Sequence, residues 1–327
     1  MRLRHIALFL LLILLAGGGV FYAALSSAYD APGPLAAEKI LYLPPGSGGK
    51  ATAAKLENEG VVDSAFYFHL LARLHRIGGE LKAGEYQFKA HMSIAEVIAL
   101  LQSGKTYQHK LTIAEGLTSA EIAALVNAAE TMTGTVDVPP EGSLLPETYS
   151  YSYGDARPAL IARMKKSMSD TLQALWPARA DNPFIKTPQD AVTLASIVEK
   201  ETGVATERPR VAGVFLNRLK TGMPLQSDPT VIYAVTMGKE KLNRGITRSD
   251  LNTDSPYNTY VKTGLPPGPI ANPGKASINA VLHPEANNYL YFVADGSGGH
   301  AFAATLDEHT RNVARWRELE KGRNSAN

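Results

Sequence analysis

The feature that most constrains this chain is an uncharged apolar run, Ile6 to about Leu25, preceded by Arg2, Arg4 and His5. Roughly 20 apolar residues cross the hydrocarbon core of a bilayer as a helix, whereas the apolar part of a cleaved signal peptide is about 7–15 residues long. Residues 1–28 therefore read as a cytoplasmic tip and a single transmembrane anchor. The basic flank stays in the cytoplasm, which places everything after Ser26 outside the membrane. A cleaved signal is the alternative, because Gly17 to Gly19 weakens the helix and Ser26-Ser27-Ala28 offers a small-residue cleavage site.

With Arg2 and Arg4 set aside, 31 basic and 31 acidic side chains remain, so the exported part carries no net charge. Nucleic-acid binders show a basic excess or stripe, and none is present, so no nucleic-acid partner is expected. The absence of cysteine excludes disulfides, zinc–thiolate sites and cysteine nucleophiles. The 8 histidines are scattered and form no His-Glu-x-x-His motif, and no Gly-x-Ser-x-Gly elbow occurs. Neither a metal nor another cofactor is expected.

Residues 29–38 read as a linker, broken by Pro32, Gly33 and Pro34. Residues 39–127 alternate short strands with helices. Strands are expected at Ile40–Leu43, Glu85–Phe88 and Lys110–Ile113, and capping boxes at Ser93…Glu96 and Thr118…Glu121. The near-repeat of MSIAEVIALL in LTSAEIAALV suggests one small unit used twice. This small α/β module resembles the LysM-like modules of cell-wall proteins, with a ligand-free spacer as the alternative. Residues 128–155, rich in Thr, Gly, Pro and Ser, connect to a second domain, whose edge Leu144 to Tyr149 is expected to line. Residues 156–327 form that domain, with longer helices, loops and a final hairpin of Tyr289–Ala294, a turn and His300–Ala304.

The chemistry centres on a helix beginning near Thr187. Thr187-Pro188-Gln189-Asp190 supplies an N-cap, Pro at the first helical position and an acid in the first turn. Ala191, Leu194, Ala195 and Val198 are spaced to bury one face. At the end sit Glu199-Lys200-Glu201-Thr202-Gly203, with Gly203 expected to stop the helix. Lys200 lies opposite the apolar stripe, while Glu199 and Glu201 flank it on opposite sides. A carboxyl group at such a border is partly desolvated, which raises its pKa and suits it to donate a proton. The bland reading is that both are solvated helix-end charges.

Seven strings follow in order: ASIVEKET (195–202), VAGVFLNRL (211–219), LQSDPTVIYA (225–234), SPYNTY (255–260), GLPPGPIANPG (264–274), HP (283–284) and YLYFVADGSGGHAF (289–302). Together they resemble the endolytic murein transglycosylases over residues 142–310. The resemblance implies an α+β chain: transmembrane helix, LysM-like module, then a mixed α+β catalytic domain. It also implies internal cleavage of peptidoglycan glycan strands between N-acetylmuramic acid and N-acetylglucosamine, leaving 1,6-anhydro ends. The protein would be single-pass in the bacterial cytoplasmic membrane, work on its outer side beside cell-wall synthesis proteins, and terminate nascent strands. By similarity to the Glu-Thr/Ser pair of lysozyme-like transglycosylases, Glu201 is assigned as the single catalytic acid, with Thr202 beside it.

The other strings offer candidate substrate contacts: Gln226, Ser227, Asp228, Tyr257, Asn258, Tyr260 and His300. Asp228 could equally cap the helix starting near Thr230, and His300 could satisfy the hairpin backbone. Arg218 reads as a structural salt-bridge partner, Asn217 as its neighbour along the groove, and Gly264 to Gly268 as a wall of that groove. Two alternatives stay open: a water-using muramidase with Glu201 as acid and Asp228 as base, and a non-catalytic peptidoglycan-binding scaffold.

Overall fold

The computed structural model describes residues 2–74 and 81–325. The chain divides into two compact units, Met1–His109 with Tyr151–Gly154, and Lys110–Ser150 with Asp155–Asn327. Residues 110–127, grouped by their pattern with the first module, fall in the second unit, to which they are tied by backbone bonds from Ile113 N to the Glu147 carbonyl, from Gly116 N to the Asn272 carbonyl and from Asn272 N to the Leu117 carbonyl.

The first unit opens with helix α1 (Arg2–Asp30), the one described helix long and apolar enough to cross a membrane. Strand β1 (Lys39–Leu43), helices α2 (Gly49–Asn58) and α3 (Ala65–Leu74), strand β2 (Gly84–Phe88) and helix α4 (Ile94–Ser103) follow. β1 and β2 pair antiparallel, with Lys39 opposite Phe88 and Leu43 opposite Gly84. Leu43, Leu56, Phe68, Tyr86, Phe88 and Val97 fill the core, as the strand alternation and helical spacing require. The Ser93 capping box forms as expected, with Glu96 N bonded to Ser93 Oγ and Ser93 N to Glu96 Oε2. Leu25 of α1 is 7% exposed and belongs to this core, with Tyr29 packed against it.

Strand β3 (His109–Thr112), in the second unit from Lys110 on, pairs with β4 (Thr148–Tyr151), in that unit up to Ser150, and α5 (Ser119–Ala128) lies between them in sequence. Then come α6 (Arg157–Leu175), α7 (Pro188–Glu201), α8 (Arg208–Thr221), α9 (Asp228–Thr236), the single turn α10 (Arg248–Leu251) and α11 (Lys275–Leu282). A hairpin of β5 (Tyr291–Ala294) and β6 (His300–Ala303) and a final helix α12 (Leu306–Ser325) close the chain. The hairpin turn uses left-handed Gly296 and Gly298, and Asp295 Oδ1 accepts bonds from the Ser297 amide and hydroxyl.

Helix α7 is the centre of this unit. Its capping box is complete: Thr187 Oγ1 accepts from Asp190 N at 3.1 Å, and Asp190 Oδ2 accepts from Thr187 N at 2.8 Å. The expectation of a single buried face is corrected, since every residue from Ala191 to Val198 is buried. Helices α8, α9 and α11 pack around it. Polar Thr193 and Ser196 tolerate this because their hydroxyls donate to the Gln189 and Thr193 carbonyls, and Ser196 Oγ also accepts from Ile270 N.

Candidate active site

The two glutamates at the end of α7 meet different surroundings. Glu199 is held on both oxygens: Arg208 donates to Oε1 at 3.2 Å and the Gly274 amide to Oε2 at 2.9 Å. Its side chain is 5% exposed, so it is a buried ion-paired group. Arg208 also reaches Glu115, whose carboxyl is raised above the ordinary range by burial and then by the charge of Glu199. Lys200 is solvated, as its place on the wheel requires.

Among the described residues no arginine is bonded to Glu201. The Ser227 hydroxyl donates to its Oε1 at 2.5 Å. Burial pushes the Glu201 carboxyl upward and the nearby Asp228 charge adds to this, while the Ser227 bond, His300 and Arg218 oppose it. Burial dominates, so the proton is retained to higher pH than on an ordinary glutamate.

The strand of sequence carrying Ser227 is built to aim it. Ser227 occupies the N-cap position of α9, makes no side-chain capping bond, and donates its hydroxyl to Glu201. Its amide instead donates to Thr259 Oγ1, and Thr230 Oγ1 donates to the Ser227 carbonyl. The preceding Gln226 sits at φ 47°, a left-handed conformation uncommon for a side-chain-bearing residue, and is exposed. Asp228 is the first residue of α9, one place inside the helix, so the capping role is corrected. It is exposed, and its Oδ1 accepts from Tyr260 Oη at 2.6 Å. Burial, then this bond, holds the Tyr260 phenol well above its ordinary pKa, so it stays a donor.

A second arrangement ties the hairpin to the end of α7. The helix stops at Thr202, not through Gly203 as expected: Thr202 is extended, Gly203 is not left-handed, and Thr202 Oγ1 accepts from Val204 N. The same hydroxyl donates to Glu207 at 3.4 Å. Glu207 also accepts from the His300 amide at 2.9 Å and faces His300 Nδ1 at 2.7 Å. His300 thus bonds a carboxylate and not the hairpin backbone.

The other candidates sit as follows. Thr202 is 2% exposed and Asn258 is fully buried; Asn258 Nδ2 donates to the Leu251 and Thr253 carbonyls and fixes its loop. Tyr257 packs its ring on Tyr233 at 4.8 Å. Arg218 makes no salt bridge among the described residues. It is buried, donates to the Leu225 and Leu290 carbonyls, and its guanidinium lies over the Tyr291 ring. Asn217 Nδ2 holds the Asn287 and Tyr289 carbonyls at the hairpin base. The structure therefore brings Glu201, Ser227, Asp228, Tyr260, Arg218 and His300 into one electrostatic neighbourhood.

The model of the YceG-like family covers residues 41–315. This chain belongs to the YceG-like family. It is 34% identical to a Bacillus subtilis (strain 168) protein named endolytic murein transglycosylase, with 82% of each chain aligned. A protein of the same name from Streptococcus pneumoniae (strain D39) is 30% identical over 94% of this chain and 64% of its own length. The crystal structure of a yceG-like protein from Listeria monocytogenes superposes with a TM-score of 0.52 at 30% identity, covering 84% of this chain and 98% of that one.

Glu207 is a residue of this candidate site that the YceG-like sequence did not disclose. It stands just before α8 with Pro209 following, and reads as an ordinary acid opening a helix. Nothing local marks its bonds to residues five and ninety-three positions away.

Proposed function

We propose that this YceG-like protein is a membrane-anchored endolytic lytic transglycosylase that cuts peptidoglycan strands between N-acetylmuramic acid and N-acetylglucosamine. The observation that carries the reading is Glu201, a desolvated carboxyl whose pKa is raised and which bonds a serine, not a cation.

Protonated Glu201 donates its proton to the glycosidic oxygen as the muramic acid C1–O bond breaks, and the N-acetylglucosamine end departs with a free C4 hydroxyl. The sugar's own C6 hydroxyl then attacks C1 and closes the 1,6-anhydro ring. The Glu201 carboxylate takes the proton from that hydroxyl and is restored. One carboxyl suffices because the nucleophile is intramolecular, with an effective molarity on the order of 10⁵ M or more when well oriented. The His300 and Arg218 charges favour the transient carboxylate. Cleavage inside strands on the outer face of the membrane would terminate nascent glycans beside the synthesis proteins. The first unit is proposed as a LysM-like module; its Tyr42 and Tyr153 rings stack at 3.9 Å, and Tyr153 is exposed.

A second reading rests on Asp228. It is an exposed carboxylate within electrostatic reach of Glu201, and could activate water as two-carboxylate glycosidases do. Digestion of purified strands in ¹⁸O-labelled water separates the two. The transglycosylase yields anhydro-muramyl ends free of label, the muramidase yields labelled reducing ends, and a non-catalytic scaffold leaves the strands intact.

A further inference from the structure

One cavity of the second unit stands outside the acid cluster yet adjoins it. It encloses about 370 Å³ and is lined by Lys200, Lys241, Pro229, Ile232, Tyr233 and Ile270, among others. Two of these are next in sequence to site residues: Lys200 precedes Glu201, and Pro229 follows Asp228. Ile232 lies one helical turn beyond Asp228 on α9, at i and i+4, where side chains share a face and Cβ atoms are about 6 Å apart. The cavity therefore begins within roughly one turn of helix from the Asp228 carboxylate.

Its chemistry differs from that of a sugar groove. The floor is apolar, from Ile232, Tyr233 and buried Ile270. Two ammonium groups stand at its rim. Lys200 Nζ donates to the Gly116 carbonyl at 3.3 Å, a neutral acceptor that does not offset its charge. Lys241 is 78% exposed and lies 3.8 Å from Glu121 Oε1, a loose pair, while Glu121 Oε2 accepts from the Thr118 amide and Glu121 itself lines the cavity. Glu240 is the other acid of the lining and is exposed. An apolar floor with two lysines and two glutamates around it suits a short peptide with small apolar side chains and charged groups of both signs.

We infer that this cavity binds the stem peptide of the muramic acid residue being cleaved, with Lys200 and Lys241 meeting its carboxylates. The inference rests on the transglycosylase reading above, in which muramic acid occupies the subsite beside Glu201. Its peptide branches from the lactyl group on C3 of the same ring, close enough to C1 to enter a cavity one helical turn away.

The experiment uses the full-length protein in detergent and two substrates: glycan strands bearing stem peptides, and the same strands stripped of them by an amidase. The expected result is a KM about tenfold lower for the peptide-bearing strands, the scale of 1.4 kcal/mol. The double variant Lys200→Gln, Lys241→Gln should bring that ratio close to one by raising KM for peptide-bearing strands. Equal KM values for the two substrates in the parent overturn the proposal while leaving the transglycosylase reading intact. So does a ratio unchanged in a double variant that melts like the parent. Cleavage of neither substrate by the parent overturns the transglycosylase reading itself, and this proposal with it.

Discussion

Glu199 and Glu201 are two residues apart and chemically identical, and their partners separate them. An arginine and a backbone amide bond both oxygens of Glu199, whereas Glu201 meets one hydroxyl in a desolvated place. Glu201→Gln keeps the shape and removes the proton, so strand cleavage should fall about 100-fold or more, measured by anhydro-end release. The same variant should alter stability with a definite sign. The folded-state pKa of Glu201 is raised, so its contribution is fully present below the ordinary carboxylate pKa of about 4.3 and is lost as pH rises through the higher folded value. Melting scans should therefore show Glu201→Gln gaining on the parent at pH 8 relative to pH 4; an unchanged difference would refute the raised pKa. Ser227→Ala removes the bond that favours the Glu201 carboxylate, so the basic limb of the activity profile should move to higher pH. Glu207 positions His300 and Thr202. Glu207→Gln should lower kcat about tenfold, the scale of one charge-assisted hydrogen bond, and alter the pH profile while the melting temperature holds.

Elements were legible in the sequence wherever their signals are local. The boxes at Ser93, Thr118 and Thr187 all form, since each needs only a side chain and an amide three residues apart. The hairpin is likewise read from its Asp-Gly-Ser-Gly-Gly turn. What failed depended on neighbours distant in sequence. The wheel of α7 gave one buried face from Ala191, Leu194, Ala195 and Val198 alone, yet three helices pack around it and bury Thr193 and Ser196 as well. Glu201 is marked as a candidate by its Thr neighbour and the surrounding strings; the bonds of Glu207 and the buried state of Asn258 are not marked, because both depend on loop packing. The tie between hairpin and α7 can be tested at Gly299, where an added Cβ would stand 2.7 Å from Glu207 Oε1. That oxygen is fixed by the His300 amide, so it cannot swing away freely. Gly299→Ala should cut activity with little change in melting, and pairing it with Glu207→Gln should cost less than the two losses combined. Additive losses would mean that the two residues act independently.

For the molecule as a whole, the first question is whether α1 stays attached. Length and apolarity alone suit either an anchor or a signal sequence. The first unit supplies a physical reason to favour the anchor. Leu25 is 7% exposed within its core, among Leu41, Phe68 and Ile94, and Tyr29 packs against the same cluster. α1 also packs on α3 and α4. Cleavage after Ala28 would remove Leu25 and leave a cavity in a small core, a loss of about 2–5 kcal/mol for a fully truncated leucine. A signal peptide is discarded and has no reason to complete the fold it leaves behind. The mature protein should therefore sediment with membranes, carry its intact N-terminus by mass spectrometry, and resist extraction by high salt. Leu25→Ala should lower the melting temperature of the first unit even in detergent, where no bilayer stabilises the helix. A mature chain beginning near Tyr29, or a Leu25→Ala variant that melts like the parent, would show that α1 serves export and not anchorage.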